Sequence, residues 1–112
     1  MEGLWTIEFG SNSGLFGSGV IVLHEGKIMG GDASHYYFGT YASPTPTDFQ
    51  ATIAVKPFLP NAESVFKTYG KELTLTLIGT LKDPNHAVAL GRPTEMPGLD
   101  LGVRLIRRPE AA

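Results

Sequence analysis

The sequence predicts an all-β domain, an eight-stranded antiparallel up-and-down barrel with one short helix, and three observations lead there. Apolar residues recur at every second position in several segments, the period that turns one face of a strand into a core. The 14 glycines and 8 prolines among 112 residues punctuate the chain often, so its elements are short. Segments that neighbour each other in sequence are joined by tight turns, and closing such a meander removes the open edges that invite aggregation. A two-sheet sandwich is the other arrangement that this pattern permits.

The first strand is GLWTIEF (3–9), where Trp5, Ile7 and Phe9 alternate with Thr6 and Glu8. SNSG (11–14) is turn chemistry. Two apolar runs follow, separated by Glu25-Gly26; Gly26 accepts a positive φ, so a tight hairpin joins strands two and three. Gly30, Gly31 and Asp32 then form a structural turn: two residues without Cβ bend sharply, and the aspartate can bond its own backbone two residues on. SHYYFGTYA (34–42) is strand four, with Gly39 a bulge or close-approach point. Pro44 and Pro46 lack ladder donors, which makes SPTPT (43–47) a loop.

DFQATIAVK (48–56) is strand five and sets Phe49, Ala51, Ile53 and Val55 on one face. KELTLTLIGTLK (71–82) is strand six and does the same with Leu73, Leu75, Leu77, Gly79 and Leu81. Between them lies a short helix, with Asn61 as N-cap, residues 64–68 helical and Gly70 as terminator; an irregular loop is the alternative. DPN (83–85) is a turn, HAVAL (86–90) strand seven, GRPTEMPG (91–98) a long loop and LDLGVRLIRR (99–108) strand eight. Residues 1–108 thus make one barrel domain, and 109–112 a flexible C-terminal tail.

Composition narrows the function classes. A net charge of −2 provides no long-range attraction to phosphate, so direct nucleic-acid binding is not expected. With Cys 0 there are no disulfides and no thiolate metal sites. The start MEGLWTIEFG carries Glu2 and Glu8 and alternates in polarity, unlike a signal peptide, and no run approaches the ~20 apolar residues of a membrane helix. A cytoplasmic protein is expected, with no membrane partner.

Residues with catalytic chemistry do not assemble into a site by spacing. Asp32, Ser34 and His35 have the types of a hydrolytic triad, yet adjacent strand residues point to opposite faces, so they read as turn and surface residues. His24, His35 and His86 lack ligand spacing, and no metal or cofactor is expected. GLFGSG (14–19) has the glycines of a phosphate loop without the Gly-Lys-Ser/Thr that follows them. Arg104, Arg107 and Arg108 read as a solvated strand end, and Glu2, Glu8, Glu25 and Asp32 as an acidic scatter. No catalytic residues are assigned and no enzymatic activity is expected.

Binding surfaces are easier to place. Val20, Ile21, Val22 and Leu23, with Tyr36, Tyr37 and Phe38, are bulky at both parities, so these segments meet something on each face: the barrel interior on one, and a second copy of the chain on the other. They are the expected homodimer surface. Trp5, Phe9, Phe49 and Leu77 would line a cavity for a small apolar ligand.

Gly3-Leu4-Trp5, Gly17-Ser18-Gly19-Val20, Gly30-Gly31-Asp32 and Tyr37-Phe38-Gly39 together resemble the GrlR family, small lipocalin-like negative regulators of type III secretion gene expression. The resemblance covers about the first third of the chain; beyond it only the strand pattern is similar. It implies a lipocalin-like barrel, commonly dimeric, that binds a protein partner, a transcriptional activator, without doing chemistry. It also implies contact through the loop between strands four and five, here Ser43, Pro44, Thr45, Pro46, Thr47 and Asp48, in which Asp48 alone is acidic.

Overall fold

In the computed structural model, which describes residues 1–12, 14, 16–60, 62–64 and 71–111, eight antiparallel strands close into a barrel. They are β1 (Gly3–Ser11), β2 (Phe16–His24), β3 (Lys27–Gly31), β4 (His35–Ala42), β5 (Asp48–Pro57), β6 (Leu73–Asp83), β7 (His86–Pro93) and β8 (Leu101–Arg107). Every strand pairs with its sequence neighbours, and β1 pairs with β8 to seal the ring. The up-and-down order has a simple cause: a two- to five-residue turn can only return the chain beside the strand it has just left. Two of the connections are longer, and both lie at the same end of the barrel as the β3–β4 turn.

The inward face is the one that the period of two picks out. Trp5, Ile7, Ile21, Leu23, Ile28, Tyr37, Phe49, Ile53, Leu75 and Leu105 belong to one continuous core. Ile21, Leu23 and Tyr37 were expected on the dimer surface, and they are instead interior residues. Side chains alternate across a strand, so a run that is bulky at both parities divides itself between the two faces.

Gly30 and Gly31 do not act as a bend. Both belong to β3, and neither is among the residues with positive φ. Their lack of Cβ serves close approach instead. A Cβ on Gly30 would lie 2.7 Å from Ile21 Cα and against the Val20 carbonyl, and one on Gly31 would lie 2.8 Å from the His35 carbonyl oxygen. The reversal falls one residue later, where the Asp32 N–H donates to the His35 carbonyl (2.9 Å). Gly39 keeps regular pairing with Ile28 and Ile53, so it is a close-approach point and not a bulge.

Three boundaries shift. β2 begins at Phe16, earlier than its apolar run, because Gly17 faces Phe9 across the ladder and leaves room for its ring. β7 continues through Gly91 and Arg92 to Pro93, which pairs with Leu75 and is fully buried, so the long loop expected from residue 91 begins only at Thr94. Pro93 sits at the last strand position, where a missing donor is tolerated. The chain end folds into a 3₁₀ turn, Pro109–Ala111, with the Ala111 N–H on the Arg108 carbonyl (3.1 Å). Of the short helix expected over 64–68, Asn61, residues 65–68 and Gly70 lie outside the described residues, while Ser64 is described and is not helical; Ala62 is buried and its N–H meets the Leu59 carbonyl (3.3 Å).

Arg107 and Arg108 are structural, not a free basic end. Arg107 Nε donates to the Glu2 carbonyl (2.9 Å) and Arg108 Nε to Thr6 Oγ1 (3.0 Å), both across the β1–β8 seam.

Candidate functional site

The two halves of the barrel interior differ. At the end where β1 begins, Trp5 is completely buried and its indole N–H donates to the Met1 carbonyl (3.0 Å), which satisfies the one polar atom that the ring takes inside. Phe49, buried at the start of β5 and so toward the same end, lies over Gly79, where a Cβ would lie 2.6 Å from Phe49 Cε1. That half is plugged by side chains. The other half holds a cavity of about 380 Å³, within the range usual for small-molecule sites. Its wall is mainly aliphatic: Ile7, Ile21, Ile53, Val55, Leu73, Leu75, Leu77, Leu101, Val103 and Leu105, with Phe9.

Of the four residues expected to line a cavity, Phe9 and Leu77 do, whereas Trp5 and Phe49 form the plugged half. An aromatic pointing inward can either bound a space or occupy it, and the two largest rings here occupy it.

One end of the cavity is polar. Asp32, Ser34, His35 and Tyr37 line it together with Glu63 and Ser64. The Asp32 carboxylate is fixed by the turn it caps: Oδ1 accepts from the backbone N–H groups of Ser34 (2.9 Å) and His35 (2.8 Å), and Oδ2 accepts from the Tyr37 hydroxyl. Ser34 Oγ lies 2.8 Å from His35 Nδ1 and 3.5 Å from Asp32 Oδ1. The Ser34 carbonyl accepts from the Phe58 N–H (2.9 Å), which ties the turn to the end of β5. Burial, then the hydrogen bond to Asp32 and its charge, hold the Tyr37 phenol protonated far above the usual tyrosine range.

This convergence corrects the expectation that Asp32, Ser34 and His35 are turn and surface residues. They do form the turn, but His35 is only 4% exposed and the group faces the interior. A signal was present in the sequence: His35 and Tyr37 are two apart and so share a face, and Asp32 stands at the only turn between β3 and β4. Comparing Ser34 with its immediate neighbour His35 missed it.

The geometry is not that of a triad, in which the nucleophile hydroxyl and the carboxylate meet opposite ring nitrogens of the histidine. Here Ser34 and Asp32 both approach Nδ1 of His35, Asp32 at 3.8 Å, and the carboxylate is bound mainly to backbone. The other histidines lie at the far end of the barrel: Nδ1 of His24 is 2.9 Å from Glu2, and Nδ1 of His86 is 2.9 Å from Asp83. Among the described residues no group of three or more His, Asp or Glu could hold a metal ion.

The outer wall carries a second feature. Val20, Val22, Met29, Tyr36 and Phe38 point outward and are between 37% and 51% exposed. Val22, Met29 and Phe38 are direct cross-strand neighbours, and the Tyr36 and Phe38 rings stack at 6.1 Å between centroids. Lys56 Nζ sits 5.5 Å from the Phe38 ring centre and 3.6 Å from Glu72. The β4–β5 loop lies at the plugged end and is exposed. Thr45 Oγ1 accepts from the N–H groups of Thr47 (3.3 Å) and Asp48 (2.9 Å), and Asp48 accepts from Thr80 Oγ1 (3.3 Å). Pro46 and Thr47 border a half-polar groove there with Met1, Glu2, Lys82 and Arg107.

No helix among the described residues is long and apolar enough to cross a membrane. No protein-family model matches the chain, and no curated protein matches it.

Proposed function

We propose that the protein is a non-enzymatic regulator of the GrlR type, a cytoplasmic, lipocalin-like barrel that works as a homodimer and represses by holding a protein partner, a transcriptional activator. The observation that carries this reading is the outward stripe of Val20, Val22, Met29, Tyr36 and Phe38. Aromatic residues and methionine are enriched in the cores of protein interfaces, and here they are contiguous on three adjacent strands. The loop at residues 43–48 is the second contact. With Asp48 its one acid, already bonded to Thr80, it engages a partner through shape and main-chain groups more than through charge. Its self-bonded Thr45 turn and two prolines reduce the ordering that binding requires.

Affinity capture from the native host under secretion-inducing conditions tests this. The same captured protein should be lost with Phe38→Glu or with Pro44→Ala/Pro46→Ala. Equal capture by wild type and both variants overturns the reading.

A second reading is favoured by the cavity: the barrel carries a small apolar molecule. A space of about 380 Å³ with aliphatic walls is hard to hydrate, and an apolar guest restores the dispersion contacts that its lining lacks. Native mass spectrometry should show a bound apolar adduct, or uptake of an added one, that Leu75→Trp prevents. Absence of both counts against it.

A further inference from the structure

We infer that Asp32, Ser34, His35 and Tyr37 form a recognition site for the polar end of a guest that carries a hydroxyl or amino group, and that this site rejects carboxylates. The inference rests on the carrier reading and adds the chemical class of the guest.

Two groups of this end, Asp32 and Tyr37, present acceptor oxygens. Asp32 Oδ1 is taken up by two backbone N–H groups and the more distant Ser34 hydroxyl, while Oδ2 receives the Tyr37 hydroxyl and has the capacity to accept a further bond. The Asp32 side chain is 16% exposed, so it is neither sealed off nor fully hydrated. Tyr37 donates its O–H hydrogen bond to Asp32, and its oxygen has lone pairs with which to accept. A hydroxyl or ammonium group placed between these oxygens has acceptors on two sides.

Charge points the same way. The lining carries Asp32 and Glu63, and among the described lining residues there is no lysine or arginine. A carboxylate pushed into this end would lose its water beside the Asp32 charge, with no lysine or arginine among the described lining residues to replace the lost solvation. An amine gains from that charge, and an alcohol does not suffer from it. Size sets the remaining bound: about 380 Å³ holds roughly a dozen groups at the ~30 Å³ share that a water molecule takes, which suits a chain of around ten carbons.

The experiment loads the wild-type protein with N-phenyl-1-naphthylamine, an uncharged fluorescent probe, and displaces it with decan-1-ol, decylamine or decanoate at neutral pH. Decanol and decylamine should displace at concentrations at least about tenfold lower than decanoate. Asp32→Asn should close that gap, and the wild-type series decides alone if this variant does not fold. Leu75→Trp, or Val103→Phe should it fail to fold, should abolish probe uptake and so place the probe inside the barrel. No uptake by the wild type, or uptake that persists in a folded, filled barrel, removes the carrier reading and the inference with it. Uptake inside the barrel with decanoate equal to or better than decanol overturns the inference and leaves the carrier reading standing.

Discussion

A methyl group at residue 30 would meet backbone, not a side chain that can swing aside: the Val20 carbonyl and, at 2.7 Å, Ile21 Cα. Gly30→Ala must therefore push β2 and β3 apart, and we expect it to cost about 1–3 kcal/mol, the range of overpacked sites, read as a lower urea midpoint. Gly30-Gly31 is legible in the sequence as a special place but not as this kind of place. Only the register shows that the backbones meet, since a glycine used for positive φ and one used for contact look alike on paper. Tyr37 supplies a second prediction at this scale. Its folded pKa is raised, so the stabilisation from its buried, Asp32-bound phenol is fully present below the unfolded value near 10. Above that pH the unfolded chain releases the proton and the folded chain does not, so stability falls as pH rises. Tyr37→Phe should be less stable than wild type at pH 7, and its urea midpoint should decline less between pH 10 and 11.5. Parallel pH curves for the two proteins would contradict this.

At the scale of the element, the β2–β3 hairpin turns on Glu25 and Gly26 with φ of 48° and 79°, the double positive that a type I′ turn needs. Glycine takes this conformation freely and glutamate does not. Glu25→Asn should stabilise the protein by about 0.5–1 kcal/mol, because Asn tolerates the left-handed region. The Glu25 N–H, which donates to Glu2 Oε1 (2.6 Å), is retained by the substitution. A higher melting temperature checks this; a lower one would mean that the Glu25 side chain, 3.6 Å from His24 Nε2, matters more than the backbone. The strands themselves were legible wherever apolar residues alternate, as in β1, β5 and β6. Legibility failed where the inward position is Gly or Pro, as at Gly17 and at Gly91–Pro93. Those residues read as loop by composition, while in the barrel they make room for Phe9 and Leu77.

For the molecule as a whole, closure was legible because eight similar strands with short links leave few other ways to cover their edges, whereas the half-hollow interior was not. Which rings plug and which bound a space depends on the stagger between strands, and that is not written in any one of them. The outer wall has two apolar regions: the β2–β4 stripe, and a smaller aliphatic set on β6 and β7, Ile78, Val88 and Leu90, in which Ile78 faces Leu90. Strand order sets them on opposite sides of the ring, β3 being four strands from β7 either way round. A contact between unlike patches would propagate into chains, while a closed dimer must use one patch twice about a two-fold axis. The β2–β4 stripe is the better candidate because it holds the stacked Tyr36 and Phe38 beside Met29, and flat, polarisable groups pack against their own copies. Light scattering at micromolar concentration should then give twice the 12.0 kDa chain mass for wild type and for Leu90→Glu, and a single chain mass for Phe38→Glu, which removes the stacked ring and puts a carboxylate that would have to lose its water into the contact. Phe38 is 43% exposed, so its loss should leave the monomer folded. Dissociation by Leu90→Glu with Phe38→Glu still dimeric would move the interface to β6–β7, and a wild-type monomer would leave the stripe to the partner alone.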